Sequence, residues 1–473
     1  MLEMKTKLLP HQEIGVQKLR KVKVCALFME MGTGKTRTML ELIKLRLDKK
    51  KVNHILWLCP CTVKESLKLE LKKHLVNYDD TLFTICGIET LSSSIKANVK
   101  LRNLVETKKV YLVVDESTKV KNFNALRTQN IIALSEKCEY KAVLNGTPIT
   151  KNEADLFSQF YILDSRILGY SSFWTFARYH INYDAYIPNK IKSIKYVDYI
   201  TTRITPYVFE VKKNDCLSLK NKFFFKKSFF LTTEQEEHYQ IIANELISEL
   251  DEMKPNTVYN LFYALQSIAC GFHVSIDNYL DKEQKISREP FFVDPKENPR
   301  NKALLKTIET DIKDSKVIIC CTFLNEVNEI VKILGEKFGR NSYRTYTGSC
   351  NFKTRQKNLE DFELDNDVQF LVATKTTIGF GLNLQFVNNI IYYSNDWNFG
   401  TRSQSEDRVH RLGQMKDVNI YDIVAEDTID VRINRCLDKK ENILKVFLEL
   451  IKEKKINLKK WLSTTTTEEN KKE

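Results

Sequence analysis

Short hydrophobic runs alternate with amphipathic segments in the first part of the chain, a pattern typical of a parallel sheet wrapped by helices. Four runs predict buried strands at Val24–Phe28, His54–Cys59, Val110–Val114 and Lys141–Leu144, and the pattern from Thr36 to about Asp48 predicts a helix. Polar residues follow the C-terminal end of each run. Because open parallel sheets bind ligands at that edge, we expect the chemistry of this region there.

A second pattern of the same kind begins at Val317–Cys321 and continues through Val368–Val372 and Asn389–Tyr393. Between the two patterns lie an aromatic-rich, lysine-containing insertion, a stretch with helical periodicity from Gln235 to Gly271, and a polar linker with prolines from Asp281 to Asn301. We therefore predict an α/β protein with two tandem parallel-sheet lobes and helical insertions between them, since 473 residues exceed what one core usually supports.

The composition shifts give the predicted boundaries. They are 1–164 for lobe 1, 165–215 for the insertion, 216–300 for the end of lobe 1 with a helical protrusion and linker, 301–436 for lobe 2, 437–462 for a C-terminal amphipathic helix and 463–473 for a disordered tail.

Charge and cysteine usage indicate where the protein works and what it binds. The net charge of +13 favours a polyanionic partner. The eleven cysteines form no C-x-x-C pair, and Cys320 and Cys321 lie in an apolar run, so we expect reduced, buried thiols rather than a zinc site. Met1–Pro10 lacks the apolar core of a signal peptide, and no apolar run approaches membrane-spanning length. We expect a soluble, cytoplasmic protein without a membrane partner.

Met31-Gly32-Thr33-Gly34-Lys35-Thr36 matches a phosphate-binding loop. Glycines let backbone N–H groups face phosphates, the lysine reaches the β- and γ-phosphates of ATP, and the threonine hydroxyl ligates Mg²⁺. The full pattern has a glycine where this chain has Met29. The alternative is a chance glycine-rich turn, which the strand before and the helix after argue against.

Asp115 and Glu116 end an apolar strand, where a Mg²⁺-directing carboxylate and a neighbouring base are expected. We assign Asp115 to the metal and Glu116 to activation of the attacking water. Alone, the pair would be read as an ordinary acidic loop, but it follows a phosphate loop in the same domain.

Arg408 and Arg411 lie three residues apart and share one face if the segment is helical. They are candidates for stabilising charge on the transferring phosphoryl group. The alternative is a solvated helical face on which Glu406 and Asp407 pair with them. Together with the first-lobe motifs, the catalytic interpretation is favoured.

The ordered series of motifs resembles the Snf-type branch of helicase superfamily two over nearly the whole chain. The matching stretches are Leu9–Gln12, Met31–Thr36, Leu58–Pro60, Asp115–Thr118 with Lys121 and Asn122, Gly146–Ile149, Tyr346–Gly348 with Arg355 and Gln356, Gly379–Leu384, and Asp396–Asn398 with Gln404–Gln414. Thr118 stands where relatives often carry histidine, which puts the coupling role of that residue in doubt.

The resemblance implies two RecA-like lobes with ATP and Mg²⁺ in the cleft and DNA across the opposite opening. It places Gln12 on the adenine, and it adds Gly381 and Gln404 to the nucleotide contacts. Gly146 and Thr147 are implied to couple hydrolysis to movement. The DNA contacts that we predict are Thr62, Lys121, Thr347, Lys375, Lys190, Lys192 and Lys195. Such backbone contacts are nonspecific and salt-sensitive.

The insertion has two interpretations. We expect Phe173, Trp174 and Phe176 to pack a small helical protrusion. For Tyr183–Lys195, two interpretations are equally favoured. One is contact with DNA bases and backbone, and the other is a purely structural role. The apolar stripe of the Lys439–Leu462 helix is expected to dock on lobe 2, with its lysines in solvent or near DNA.

The leading hypothesis is a monomeric, ATP-driven DNA translocase or helicase that acts on duplex or branched DNA in replication, recombination or repair, with partners from those processes. The compact architecture and the Lys-, Asn- and Ile-rich composition suit a bacterial or bacteriophage enzyme. Alternatives are the motor subunit of a restriction or defence complex, and a DNA-binding scaffold with weak ATPase activity. An RNA helicase is disfavoured because Asp396–Asn398 and Asp407–Gln414 resemble the DNA-translocating branch.

Overall fold

The computed structural model of the chain describes residues 2–439 except 147, 150, 151, 184–190, 217, 218, 249–254, 279–283, 379–381 and 412. The chain divides into two compact units, Met1–Ser218 and Leu219–Glu473. The predicted helix at Lys439–Leu462 and the predicted disordered tail lie outside the described residues, apart from Lys439.

The first unit is built on a six-stranded sheet whose strands are all parallel, in the order β3-β2-β4-β5-β1-β8. Its strands are β1 Val24–Met29, β2 His54–Cys59, β3 Phe83–Gly87, β4 Val110–Val114, β5 Tyr140–Asn145 and β8 Val208–Val211. A separate antiparallel pair consists of β6 Ile181–Tyr183 and β7 Ile191–Ile194. All four strands predicted from the hydrophobic runs are present.

Helices cover both faces of this sheet, and its central strands are buried and mainly apolar. They are α1 Pro10–Leu19, α2 Lys35–Asp48, α3 Lys64–His74, α4 Thr90–Ser93, α5 Ile95–Thr107, α6 Leu126–Ser135, α7 Leu156–Leu163, α8 Phe173–His180, α9 Val197–Ile204 and α10 Lys213–Cys216. Successive strand residues point to opposite faces. Leu56 and Leu58 therefore belong to one core, and Ile55 and Trp57 to the other.

The second unit repeats the plan with another parallel six-stranded sheet, in the order β13-β14-β12-β15-β16-β9. Its strands are β9 Lys222–Phe229, β12 Val317–Cys321, β13 Tyr343–Tyr346, β14 Phe370–Thr374, β15 Asn389–Tyr392 and β16 Val418–Ala425. Cys320 and Cys321 are buried free thiols of β12, as expected. The predicted fold class, α/β with two tandem parallel-sheet lobes, is confirmed.

The assignment of 216–300 to the end of lobe 1 was wrong for β9. This strand pairs with β16 in full register, from Lys222 opposite Val418 to Phe229 opposite Ala425, and so completes the second sheet. The predicted linker Asp281–Asn301 was also wrong in part. It contains strand β11, Gln284–Pro290, which forms an antiparallel hairpin with β10, Phe272–Asn278.

The helices of the second unit are α11 Thr233–Ser248, α12 Pro255–Ala269, α13 Pro299–Thr307, α14 Leu324–Phe338, α15 Phe352–Leu364, α16 Lys375–Ile378, α17 Phe399–Val409 and α18 Ile429–Asp438. The helical periodicity predicted from Gln235 to Gly271 corresponds to α11 and α12. Within the described ranges, no helix combines the length and apolarity needed to cross a membrane.

Candidate functional site

The loop between β1 and α2 has a backbone that only glycine readily adopts. Gly32 and Gly34 have φ angles of 81° and 87°, in the left-handed region. A Cβ atom on Gly34 would lie 2.0 Å from Nε2 of Gln12. The free N–H groups at the start of the 14-residue helix α2 follow directly. The loop thus offers the cradle of N–H groups that a phosphate chain requires.

Two side chains of α1, Gln12 and His11, contact the Thr33 carbonyl of this loop. Gln12 is buried; its Nε2 donates to Thr33 O at 3.0 Å, and its Oε1 accepts from Leu9 N at 3.0 Å. His11 Nε2 lies 2.8 Å from the same Thr33 carbonyl. The sequence predicts that Gln12 contacts adenine. Its observed contacts give it a further role, which is to fix the shape of the phosphate loop.

Lys35 lies where three neighbouring strands end. Its Nζ donates to Met29 O at 2.8 Å, at the end of β1, and lies 3.7 Å from the position of a Cβ on Gly146, just after β5. Its charge also opposes the rise that burial and the Glu116 charge cause in the pKa of Asp115, which follows β4. Lysine, carboxylate and loop therefore meet at the carboxyl edge of one sheet, as the sequence predicts.

The pKa of Asp115 is raised to about 7, first by burial and then by the neighbouring Glu116 charge, with Lys35 partly offsetting both. A carboxylate that is costly to ionise in the free protein gains from a cation placed beside it. Thr36 is buried in the first turn of α2. An oxygen ligand set of Thr36, Asp115, phosphate and water fits Mg²⁺, which seldom uses an all-protein cage. In the described residues, no group of three or more His, Cys, Asp or Glu side chains could hold a metal.

Glu116 has a left-handed backbone, with φ 48° and ψ 51°, which is unusual for a residue with a Cβ. Its N–H donates to Asp115 Oδ1 at 2.9 Å. Such a conformation costs on the order of 1–3 kcal/mol and is concentrated at functional sites. The turn therefore sets the direction of the Glu116 side chain relative to Asp115.

A buried polar network lies directly behind this turn. Ser117 donates to Gln159 Oε1, and Asn145 Nδ2, at the end of β5, donates to Ser117 Oγ at 3.3 Å. Gln159 Nε2 donates to Pro148 O at 2.9 Å and to Asp155 O at 2.8 Å. The predicted coupling residue Thr147, beside Pro148, lies outside the described residues. Gln159 could not be identified from the sequence, because a lone glutamine on a helix carries no signal.

In the second unit, α17 carries Gln404 and Arg408, and Arg411 follows its end. Arg411 Nη1 donates to Leu382 O at 3.4 Å. The Glu406 carboxylate pairs with Arg402 and Lys222, each at 2.9 Å. The predicted nucleotide contact Gly381 lies outside the described residues.

Arg402 is the second functional residue that the sequence patterns do not reveal. Its guanidinium is buried, donates to both oxygens of Asp422 at 2.5 and 2.9 Å, and lies 3.9 Å from the centre of the Tyr392 ring. It also donates to Asn395 Oδ1 at 3.0 Å. The arginine thus joins α17 to strands β15 and β16, which fixes the helix that carries Arg408.

The predicted DNA contacts differ in accessibility. Thr62, Lys192 and Lys195 are exposed, and Lys121 is partly exposed with its Nζ 3.7 Å from Asp155. Thr347 and Lys375 are 2% exposed. Thr347 Oγ1 lies 2.7 Å from Ser349 Oγ, and Lys375 Nζ lies 3.3 Å from Asp396. Neither side chain is presented to solvent in this structure. Lys190 is outside the described residues.

Two family models match the chain. The SNF2-related domain matches residues 11–274, and the helicase conserved C-terminal domain matches residues 299–413. The first match covers the phosphate loop and both carboxylates. The second covers Arg402, Arg408 and Arg411.

Several curated proteins are similar to this chain in sequence. An uncharacterized ATP-dependent helicase, MG018, of Mycoplasma genitalium is 24% identical over 71% of the chain, and the Zorya protein ZorD of Escherichia coli is 26% identical over 69%. The ATP-dependent helicase FUN30 of Saccharomyces cerevisiae is 29% identical over 40%. The alignments span 30%, 30% and 16% of these proteins, so the chain corresponds to a third or less of their length.

Among solved structures, the chain is similar to the SWI2/SNF2 ATPase core of Sulfolobus solfataricus in complex with dsDNA. The identity is 21%, the TM-score is 0.40, and 95% of this chain and 94% of the other are covered.

Proposed function

The chain belongs to the SNF2-related family, and from that premise we propose that it is an ATP-driven motor that moves on DNA. The observation that carries the proposal is the meeting of Lys35, Asp115 and the glycine loop at one sheet edge, where the lysine charge acts on the carboxylate. Backbone strain at Glu116 and a raised pKa at the adjacent Asp115 are typical of a functional site, and they argue against a DNA-binding scaffold that has lost ATPase activity.

The residues of the first unit divide the chemistry among them. The loop N–H groups and the start of α2 bind the phosphates of ATP, and Lys35 neutralises their charge. Thr36 and Asp115 would hold Mg²⁺, which supplies further neutralising charge when it is bound. Glu116 orients the attacking water and accepts its proton. Arg408 and Arg411 of the second unit stabilise the charge of the transferring phosphoryl group, with Gln404 and Gly381 among the nucleotide contacts.

For the polynucleotide, we propose DNA bound mainly through its backbone. The net charge of +13 and the exposed Thr62, Lys192 and Lys195 support phosphate contacts, which do not read sequence. Such contacts suit a motor that tracks duplex or branched DNA, and we propose forks and branched intermediates of replication, recombination or repair as its substrates. Replacing one phosphate-binding lysine by alanine should reduce the salt slope of binding by about one unit.

The test is ATP hydrolysis without polynucleotide and then with single-stranded, duplex, forked and four-way-junction DNA, with Glu116→Gln as the inactive control. Greater stimulation by forks and junctions than by duplex supports action on branched DNA. Equal stimulation by every duplex supports a translocase without structural preference and contradicts the branched-DNA role. Absence of stimulation by any DNA, with activity in the presence of RNA, contradicts the DNA motor.

A further inference from the structure

Helix α8 and the segment after it present an aromatic surface that the motor chemistry does not use. Ser172 caps α8 because its hydroxyl oxygen accepts a hydrogen bond from Thr175 N at 3.2 Å. Phe176, Ala177 and His180 face the core of the first unit. Phe176 lies in the core and Phe173 packs against it, as the sequence predicts, whereas Trp174 is 65% exposed and contacts only the edge of the Phe173 ring among the described aromatic pairs.

His180 is the fixed centre of this surface. Its side chain is buried; Nε2 lies 2.8 Å from the Tyr170 hydroxyl, and Nδ1 lies 2.9 Å from Lys195 O. The Tyr199 ring stacks on it with centroids 5.8 Å apart, and the Tyr196 ring meets it edge-on at 6.2 Å. Both ring nitrogens and the ring faces are thus engaged, which makes the histidine a rigid support.

Three tyrosines surround this support at the surface, and we call Tyr179, Tyr196 and Tyr199 the tyrosine patch. They are 63%, 66% and 44% exposed. Tyr170 connects them, because its ring lies 6.0 Å from that of Tyr179 and its pKa is raised by burial and by Tyr199 and Tyr179. Exposed aromatic residues are normally scattered singly, and a cluster of them marks a binding surface.

The charges beside the patch favour an anionic partner. Arg178 precedes Tyr179, Lys195 precedes Tyr196, and Lys192 lies on the adjoining strand β7; all three side chains are exposed. Asp198, beside Tyr199, is the acidic residue next to the patch in sequence. A partner that combines flat apolar rings with regularly spaced negative charges satisfies both the tyrosines and the cations.

We propose that the tyrosine patch binds unpaired bases of single-stranded DNA, with Arg178, Lys192 and Lys195 on the adjoining phosphates. Bases in an intact duplex are stacked on one another and offer no free face, so the patch selects the single strand that a fork exposes. This inference rests on the proposed DNA function and adds a contact outside the two parallel sheets.

The test uses the full chain and a fluorescein-labelled oligo-dT single strand, with a blunt duplex of equal length for comparison. Removing one aromatic ring on which a base stacks weakens binding about fivefold to 100-fold. The double substitution Tyr179→Ala/Tyr196→Ala should therefore reduce single-strand affinity at least tenfold. Its duplex-stimulated ATP hydrolysis should stay unchanged. Tyr179→Phe/Tyr196→Phe keeps both rings and should bind the single strand almost as well as the natural chain.

Phe224→Ala is the matched control, because Phe224 is 58% exposed on β9 of the other unit. Undiminished single-strand affinity of the double alanine variant overturns the inference, as does an equal loss in Phe224→Ala. If the alanine variant fails to fold, photocrosslinking of the natural chain to single strands that contain 5-iodouracil tests whether the tyrosine patch contacts DNA. Crosslinks at the patch tyrosines support the proposal, and crosslinks only elsewhere refute it.

The outcomes separate this inference from the proposed function. If DNA stimulates ATP hydrolysis but the tyrosine substitutions do not change single-strand affinity, only the proposed role of the tyrosine patch is refuted. If single-strand binding depends on the tyrosine patch but no DNA stimulates ATP hydrolysis, the proposed motor function is refuted and the role of the tyrosine patch is supported.

Discussion

The Ser117 hydroxyl donates a hydrogen bond of 2.5 Å to Oε1 of Gln159, and both side chains are fully buried. Ser117 directly follows Glu116, while the amide nitrogen of Gln159 donates to Pro148 O at 2.9 Å. One side chain on α7 therefore joins the turn that carries both carboxylates to the segment after β5. A shift of either segment must be transmitted to the other or break a buried hydrogen bond.

Replacing this link with Gln159→Leu should uncouple the two segments. Leucine has a similar volume but removes the acceptor of the Ser117 O–H and the donor to the Pro148 carbonyl, at about 1–3 kcal/mol for each unsatisfied group. We expect basal ATP hydrolysis within a few-fold of normal and loss of the DNA-dependent increase, both measured by phosphate release. Gln129→Leu is the control, because Gln129 makes an exposed hydrogen bond to Phe123 O and should change neither rate. An unaltered response to DNA in Gln159→Leu would refute the coupling role.

Glu116→Gln should lower the rate of ATP hydrolysis by about 10²–10⁴-fold, because the amide cannot accept the proton of the attacking water. Nucleotide binding should persist, since the loop and Lys35 are untouched. Loss of the Glu116 charge should also lower the pKa of Asp115, because that charge is the second cause of its rise. Single-turnover kinetics measure the rate of hydrolysis, and titration with a fluorescent ATP analogue measures nucleotide binding. Glu139→Gln, at an exposed ion pair with Lys23, is the control and should behave as the natural chain.

Arg402→Met should destabilise the second unit by about 3–5 kcal/mol, since it removes the buried guanidinium that pairs with both oxygens of Asp422 and leaves Glu406 with Lys222 alone. The comparison is Lys23→Met, which removes an ion pair of 2.6 Å whose side chains are 64% and 56% exposed and should change stability by less than about 1 kcal/mol. Chemical denaturation followed by circular dichroism gives both values. Equal effects of the two substitutions would show that the Arg402 network contributes no more than a surface pair.

Stability of the second unit should fall as the pH rises towards neutrality. Burial raises the pKa of Glu329 to about 7, with Asn301 and Asn298 hydrogen bonds opposing the rise. Between its ordinary value near 4.5 and about 7, the folded state holds a proton that the unfolded state has released. Stability is therefore greatest below this window and declines across it by at most about 1.4 kcal/mol per pH unit. Glu329→Gln should flatten this part of the stability profile, measured by denaturant unfolding from pH 4.5 to 8; an unchanged slope would contradict the assignment.

Local features of the sequence were sufficient to predict that the candidate nucleotide-binding residues of the first unit meet at one edge of the sheet. Gly34, Lys35, Asp115 and Glu116 each follow a strong apolar run, and the ends of parallel strands meet at one edge whatever the order of the strands. The central strands of both sheets were predictable from their apolar runs, because these strands are buried on both faces.

Features that depend on distant partners were not predictable. Strand β9 was assigned to the first lobe because it lies near that lobe in sequence, whereas its partner β16 lies far along the chain. The hairpin strand β11 has polar and proline residues and reads as a linker. Arg402 looks like one more surface cation until its burial against Asp422 is known, and Lys375 looks exposed although its side chain is buried.

The position of β9 also sets the order in which the second unit can mature on the ribosome. Its residues are synthesised before every other strand of their sheet, yet the strand that they pair with emerges about 200 residues later. At about 5–20 residues per second, the segment with Phe223, Phe224 and Phe225 waits roughly 10–40 s for its partner. Through that interval, an unpaired aromatic strand is open to wrong pairing, and its interspersed lysines, Lys222, Lys226 and Lys227, keep nascent chains apart by charge repulsion.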